Sequence, residues 1–583
     1  MTESDVADVL VRALDRHKQF EVTDDPADLD TAIGLARECV RASTPADPVF
    51  GDSLSVLAAA LQTRFERFGH LVDLEESIAI GRSAVQAAGS MEDVAEELHN
   101  LGLGLQMRFE HRNDRRDIDE AVEAARTATE VTAPDDDAYP LYVAMLSVAL
   151  QTRFNRLGDP ADLDAAITAA ADATQRSPED SPDRTLILSN FGSMLATRFR
   201  HRGDINDLDA SVQVGRTVVG LVATPPGRSA FAAGVWSNLG LRLVLRYEYT
   251  GELADLTEAV EAARTAVGAV AENDPSRTTF LCNLALVLQI RFEQTRNARD
   301  IDDAVETARA VIADLPSDRP EHCTALASLG LTLLLRYTLT RAADDVAEAV
   351  HRLRAAAAIP TTSPSHRSHV MALLSAALRR QYEHSGQAAL LDETVAVARS
   401  ALQSAPPDNP VVGFLRYHLG LALADTYRAT SDGELLDTAI DEFRQASDTV
   451  SAPIRNRLDA ARAWGEWSAR LRRWRAATDG YAAAVTLLPA AAWHGAARAS
   501  RESLLTDWHG LAVDLSACAA AARRDDCAVA LLDSGRNVLW AQLLDIRADL
   551  AAVRARAPHL ADRLQVVAQE LNRVDTWGTT ESS

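Results

Sequence analysis

Ten aromatic residues recur in this chain at a nearly constant interval, and no other feature limits its fold as strongly. They are Phe20, Phe65, Phe109, Phe154, Phe199, Tyr247, Phe292, Tyr337, Tyr382 and Tyr427, spaced by 45, 44, 45, 45, 48, 45, 45, 45 and 45 residues. A fixed period of this length means one supersecondary unit repeated, each copy burying its apolar faces against its neighbours. Seven residues before each aromatic stands a small residue: Ala13, Ala58, Gly102, Ser147, Gly192, Gly240, Ala285, Gly330, Ser375 and Gly420. Seven residues is about two helical turns, so the small residue and the aromatic share one helix face. The small residue lets a second helix approach closely, and the aromatic fills the space beyond. The seam so defined includes Gly102 with Phe109, Gly192 with Phe199, Gly240 with Tyr247 and Gly330 with Tyr337.

A second signature follows each aromatic. "DLDTAIGLAR" (28–37), "DLEESIAIGR" (73–82), "DIDEAVEAAR" (117–126), "DLDASVQVGR" (207–216), "DLTEAVEAAR" (255–264) and "DIDDAVETAR" (300–309) have helical apolar spacing, with Asp near the start where the dipole favours it. In "GDPADLDAAI", Asp159 can cap and Pro160 can occupy the first turn. Stretches rich in Pro, Asp and Ser, such as "SPEDSPD" (177–183) and "SAPPDNP" (404–410), separate the units. Each unit therefore reads as a hairpin of helix A, a loop of about ten residues, and helix B. The expected fold is all-α: an α-solenoid, or superhelix, of stacked antiparallel helix pairs.

Arginine keeps the same beat. It precedes the aromatic at Arg64, Arg108, Arg153, Arg198, Arg246, Arg291 and Arg336, and it lies nine residues beyond the first Asp position of helix B in nine units, from Arg37 to Arg444. Such ladders can be tracks for an acidic ligand or internal ion pairs. The acids repeat in phase with them, so internal pairing is expected.

After about residue 450 the beat stops, and seven of the eight tryptophans lie beyond it. Within residues 460–489, Trp464, Gly465, Ala477, Tyr481, Ala484 and Pro489 closely resemble the tetratricopeptide-repeat pattern, with Ser468 where helix A usually has an aromatic. The 45-residue units then resemble lengthened tetratricopeptide repeats with the extra residues in their loops. "LHNLGLGL" (98–105) is similar to helix A of the long repeats of kinesin light chains. That resemblance implies a role for Asn100, Asn190, Asn238 and Asn283, two residues before the small residue: lining a concave groove and bonding the backbone of a bound peptide. From the residues themselves, an asparagine there can also bond a loop carbonyl within its own unit.

"LLDSGRNVLWAQLLDIRADLAAVRARAPHLADRLQVVAQEL" (531–571) resembles the helical segment that precedes the caspase-like CHAT domain in bacterial proteins joining such repeats to a protease. In that family a His/Cys dyad follows; here the sequence ends twelve residues later, and only the sensor half is expected. The expected divisions are ten long hairpins over 1–450, a tetratricopeptide unit with capping helices over 451–545, a junction-like helix over 546–572 and a disordered tail over 573–583.

Other chemistries lack their residues. The 84 acidic against 59 basic residues give a net charge of -25, which disfavours nucleic acid and anionic membranes, serves solubility, and would suit a basic partner. Lys18 is the only lysine, and it stands in no P-loop, kinase or Schiff-base context. Cys39, Cys282, Cys323, Cys518 and Cys527 form no CxxC and read as buried small hydrophobes in a reducing compartment. His366 and His369 beside a proline loop are too few for a metal site, and no HExxH, GxSxG or GxGxxG occurs. No membrane span and no signal peptide are expected, hence a cytoplasmic location. The sequence therefore points to a non-enzymatic scaffold, without cofactor, that holds a protein or peptide in its groove. The rival is the sensor arm of a CHAT-type protease with a separate catalytic partner or domain.

Overall fold

The seam pattern predicts pairs of helices, and the computed structural model has them from Glu3 to Ala491. It describes residues 3–491 except 24, 46, 48, 182, 223–228, 318, 320, 361, 362, 407 and 408, together with 508, 510–524, 528, 529, 532, 554 and 563. Contacts divide the chain into two compact units, Met1–Gly227 and Arg228–Ser583. The division falls in the one interval where the aromatic spacing lengthens to 48 residues.

The first unit holds five helix A–helix B pairs: α1–α2 (Glu3–Thr23, Pro26–Ala42), α3–α4 (Val49–Phe68, Leu71–Ala87), α5–α6 (Met91–Arg112, Arg115–Val131), α7–α8 (Tyr139–Leu157, Pro160–Arg176) and α9–α10 (Arg184–Arg202, Ile205–Val222). The second holds α11–α12 (Ala230–Thr250, Leu253–Gly268), α13–α14 (Arg277–Thr295, Ala298–Asp314), α15–α16 (Glu321–Thr340, Ala343–Ala358), α17–α18 (Pro364–Ser385, Ala389–Ser404), α19–α20 (Val411–Thr430, Gly433–Asp448) and α21–α22 (Ile454–Arg470, Trp474–Ala491), with α23 (Leu511–Ala521) packed on α22. Within each unit every helix packs on its neighbours in sequence, and helix A also touches the next helix A in most pairs. Each is an α-solenoid of antiparallel pairs.

Eight of the ten seam aromatics are buried, and Tyr382 and Tyr427 are half-buried. Phe109 and Phe292 are 1% and 0% exposed, and Phe199, Tyr247 and Tyr337 are also core residues. The small residues are true close approaches. A Cβ on Gly330 would lie 2.5 Å from Leu353 Cγ, and one on Gly240 would lie 3.2 Å from the Ala259 carbonyl oxygen. At the C-terminal hairpin, a Cβ on Gly465 would lie 2.8 Å from the Tyr481 ring, the contact that the tetratricopeptide-like residues require.

One expectation about length is corrected. The link from helix A to helix B is two residues in most pairs, such as Gly69–His70, and not a loop of about ten. Helix A runs on past its aromatic and ends on a left-handed residue four positions later. The nine described examples are Gly69, Asn113, Gly158, Gly203, Gly251, Arg296, Arg341, Gly386 and Ser431, and the N–H of each donates to the carbonyl of its aromatic at 2.6–2.9 Å. Four of the nine are not glycine, which is why the stop is hard to see in sequence. The next residue often caps helix B: Asp25, Asp114, Asp159, Asn297 and Asp432 accept from N–H groups two residues on, with Pro160 in the first turn as expected. Helix A has 19–22 residues against 17 in α21, whereas helix B has 16–18 against 18 in α22.

The arginines pair internally. Arg64, Arg108, Arg153, Arg198, Arg246, Arg291 and Arg336 each clamp the Asp nine residues on (Asp73, Asp117, Asp162, Asp207, Asp255, Asp300 and Asp345) through Nε and Nη2 at 2.5–3.1 Å. These aspartates are 1–7% exposed. The second ladder links successive helices B, as in Arg37–Glu76, Arg82–Glu120 and Arg354–Glu393 at 2.6–2.7 Å.

The helix Glu321–Thr340 is long and apolar enough by composition to cross a membrane, contrary to the expectation of none. Half of that window is buried inside the unit as helix A, and a helix packed on both sides needs that composition.

Candidate functional site: the helix A face

The four nominated asparagines lie on helices A. Asn100 (α5) and Asn190 (α9) belong to the first unit and are half-buried. Asn238 (α11) is exposed and Asn283 (α13) half-buried in the second. In the first unit α7 stands between α5 and α9 and carries buried Met145 at the equivalent position, so no continuous asparagine row forms there. Asn283 Nδ2 donates to Ser237 Oγ at 2.8 Å, which ties α13 to α11. One of its two amide N–H groups is thus engaged between successive repeats, and not by a loop carbonyl of its own unit.

That bond is one of a series between successive helices A. His17 Nε2 meets Thr63 Oγ1 at 2.8 Å, Gln106 Nε2 donates to Thr152 Oγ1 at 3.2 Å, and Gln289 Nε2 donates to Thr332 Oγ1. Gln62 Nε2 donates to the Asn100 backbone carbonyl at 3.0 Å. Gly104 makes that last bond possible, because a Cβ there would lie 2.9 Å from Gln62 Nε2. Gly102 serves the other seam, where a Cβ would lie 3.2 Å from Met145 Cε and 3.7 Å from the Ala121 carbonyl oxygen. Two glycines two positions apart thus relieve two different helix contacts.

The face also holds titratable groups away from water. Glu97 is 7% exposed, takes a bond from Ser55 Oγ, and is pushed up to about 7 by burial first, with Glu96, Asp52 and Asp93 adding to it. Burial also lowers His99, and His418 falls well below the ordinary histidine value under burial and the nearby Arg379 and Arg380. His418 packs 4.2 Å, centroid to centroid, from Phe414. Burial favours the uncharged form of each of these groups.

The α13–α15 pair opens differently. Gln289 and Thr332 tie the C-terminal halves together, while a cleft of about 970 Å³ lies between the N-terminal halves. Asn283 and Cys282 line one wall, Ser328 and Thr324 the other, and Val311, Leu315 and Ala325 the floor. The connections 269–276 and 315–320 form its ends, and they contribute Glu272 and Arg319. The volume lies at the upper end of ordinary ligand sites. Sequence reasoning nominated Asn283 alone among these residues. Cys282 is exposed, which corrects its reading as a buried hydrophobe: it faces the cleft where the two helices part. Cys39, Cys323 and Cys518 are buried as expected, and burial raises the thiol of Cys518. Cys527 lies outside the described residues, as do the 531–571 resemblance, apart from Leu532, Arg554 and Arg563, and the tail 573–583. Among the described residues no three metal-ligating side chains converge, His366 and His369 included.

No protein-family model matches the sequence, and no curated protein sequence matches it. Among solved structures, the chain is similar to the nearly identical TPR-like repeats of a Podosopora anserina kinesin light chain, at 18% identity and a TM-score of 0.29, covering 38% of this chain and 99% of that one. It is similar to human IFIT1, in a dimer with PPP-AAAA, at 11% identity and TM-score 0.37, covering 83% and 90% of the two chains. It is also similar to the apo quorum sensor NprR of B. thuringiensis at 9% identity and TM-score 0.37, covering 66% and 97%. Similarity at this level is that of stacked helix pairs in general, and the repeat assignment rests on the register and pairing described above.

Proposed function

We propose that the protein is a non-enzymatic scaffold that holds a protein or peptide segment against its helix A face. One observation carries this reading: the open cleft between α13 and α15, walled by polar side chains over an apolar floor and held at its base by packed repeats. Preorganised walls lower the ordering cost of binding, which suits a flexible segment as ligand. The protease-sensor reading is a narrower form of the same role and rests on the resemblance in 531–571.

The test is to pan a random peptide library against the full chain and map each recovered peptide by amide hydrogen exchange. Protection on helices A, weakened by the Asn238→Ala/Asn283→Ala variant with the fold intact, is the expected result. Protection confined to helices B, or affinity unchanged in that variant, would overturn the helix A assignment. Cleavage of a recovered peptide by the pure chain would overturn the non-enzymatic one.

A further inference from the structure

The α13–α15 cleft has a charge preference that the rest of the helix A face does not need for packing. Four carboxylates line it: Glu272, Asp274, Asp314 and Glu321, against the single guanidinium of Arg319. Two of the acids have structural work. Asp274 accepts from the Ser276 N–H at 2.8 Å and shapes the start of α13, and Asp314 pairs with Arg277 at 3.1 Å. Glu272 and Glu321 are exposed on the rim, with no ion-pair partner among the described residues. Between them the floor is apolar, with Val311 and Ala325 buried and Leu315 half-buried. An acidic segment would meet repulsion at the rim, whereas a basic one would complete two carboxylates without desolvating them fully. The whole chain's charge of -25 steers association the same way.

We infer that this cleft takes an extended basic–apolar peptide, with an apolar side chain seated on the Val311–Leu315–Ala325 floor and Arg or Lys side chains on Glu272 and Glu321. The inference rests on the scaffold reading and adds the chemistry of the ligand. Asn283 takes part through Oδ1 and the amide N–H that is not bonded to Ser237. Cys282, exposed on the cleft wall, is a built-in reporter: an occupied cleft shields its thiol from alkylation.

The experiment uses the full chain with two fluorescein-labelled octapeptides, one alternating arginine with leucine and one alternating glutamate with leucine. Binding is read by anisotropy at low salt, and alkylation of Cys282 by mass spectrometry of its tryptic peptide. The arginine peptide is expected to bind and, at about ten times its Kd, to slow Cys282 alkylation by about tenfold. Glu272→Lys/Glu321→Lys, both surface changes, should weaken it by about tenfold and abolish most of its salt dependence, with the circular dichroism spectrum unchanged. Equal shielding of Cys282 by the glutamate peptide would overturn the inference and leave the peptide-scaffold reading standing. Binding of the arginine peptide without shielding of Cys282, no binding of either peptide, or indifference to the double charge reversal would each overturn it as well.

Discussion

The Arg–Asp clamps are the sharpest place to test whether the repeat was read correctly. In the α5–α6 hairpin, Arg108 Nε and Nη2 donate to Asp117 at 3.0 and 2.6 Å, and the side chains are 18% and 6% exposed. Asp117 raises the already high affinity of Arg108 for its proton. Arg108→Met leaves a buried carboxylate without its partner, a change that costs about 3–5 kcal/mol when burial is complete. Asp117 lies in the first turn of α6, where the helix dipole returns up to about 1 kcal/mol, so a loss of about 2–4 kcal/mol is expected. Asp117→Leu leaves an arginine whose long stem can carry its head to water, and the loss should be smaller, about 1–2 kcal/mol. The double variant should return to within about 1 kcal/mol of wild type, because a well-packed apolar pair can replace a buried ion pair. In the chain itself both members also change together, to a polar–apolar pair. In the ninth and tenth repeats the arginine position is Gln381 or Thr426, and the aspartate position is Leu390 or Leu435. Urea unfolding by circular dichroism measures the totals, with amide exchange in α5 and α6 locating the loss. If the two single losses simply add, the clamp is a surface ion pair in effect and the reasoning fails.

Two further outcomes follow from burial. Phe199→Ala should cost about 3–5 kcal/mol by urea titration, because its ring is buried at 6% exposure, and a loss below about 1 kcal/mol would contradict a buried seam. Glu97→Gln should change the pH dependence of stability. Its folded pKa of about 7 lies above the ordinary 4.5, so the contribution of this group is intact below the ordinary value and lost as pH rises through about 7. The variant should therefore exceed wild type in urea midpoint near pH 8 and approach it near pH 5, and parallel curves would refute the assignment.

The fold was legible because its determinants are local and periodic. A small residue and an aromatic at a fixed interval mark helix A, and an in-phase Asp and Arg mark helix B. The same phase foretold the ion pairs. The short A-to-B turn was not legible, since its left-handed residue is Asn113, Arg296, Arg341 or Ser431 in four repeats. Arg296 and Arg341 offset that conformation by lying 5.6 and 5.5 Å from the rings of Phe292 and Tyr337, a contact that no spacing rule announces. Gly104 escaped notice because its reason lies on another repeat, in Gln62. The cleft was illegible for a related reason. Its width depends on how far α13 and α15 diverge, and the eight-residue connection 269–276, the longest among the described repeats, sits at one end of it. Only Asn283 carried a sequence mark.

These separations bear on how such a chain can vary its ligand without losing its fold. The A–B seam is fixed by small residues and aromatics, and the hairpin end by the Arg–Asp clamp. Both clamp partners change together at Gln381/Leu390 and Thr426/Leu435, and in the first repeat, where Gln19 replaces the arginine, Asp28 pairs with Arg16 instead. The helix A face is bound by no such pairwise rule. Its links are single hydrogen bonds of varied chemistry, from His17–Thr63 to Gln106–Thr152 to Arg379–Asp425, each net worth about 1 kcal/mol or somewhat more when charged. A repeat can exchange one of these at modest cost and so re-aim the side chains beside it. The recurrent arginines are meanwhile held in ion pairs at the hairpin ends and along helices B. Unpaired acids such as Glu272 and Glu321 then set the sign of the field at the α13–α15 cleft, and the packing rules that spend arginine on stability leave an acidic site for recognition.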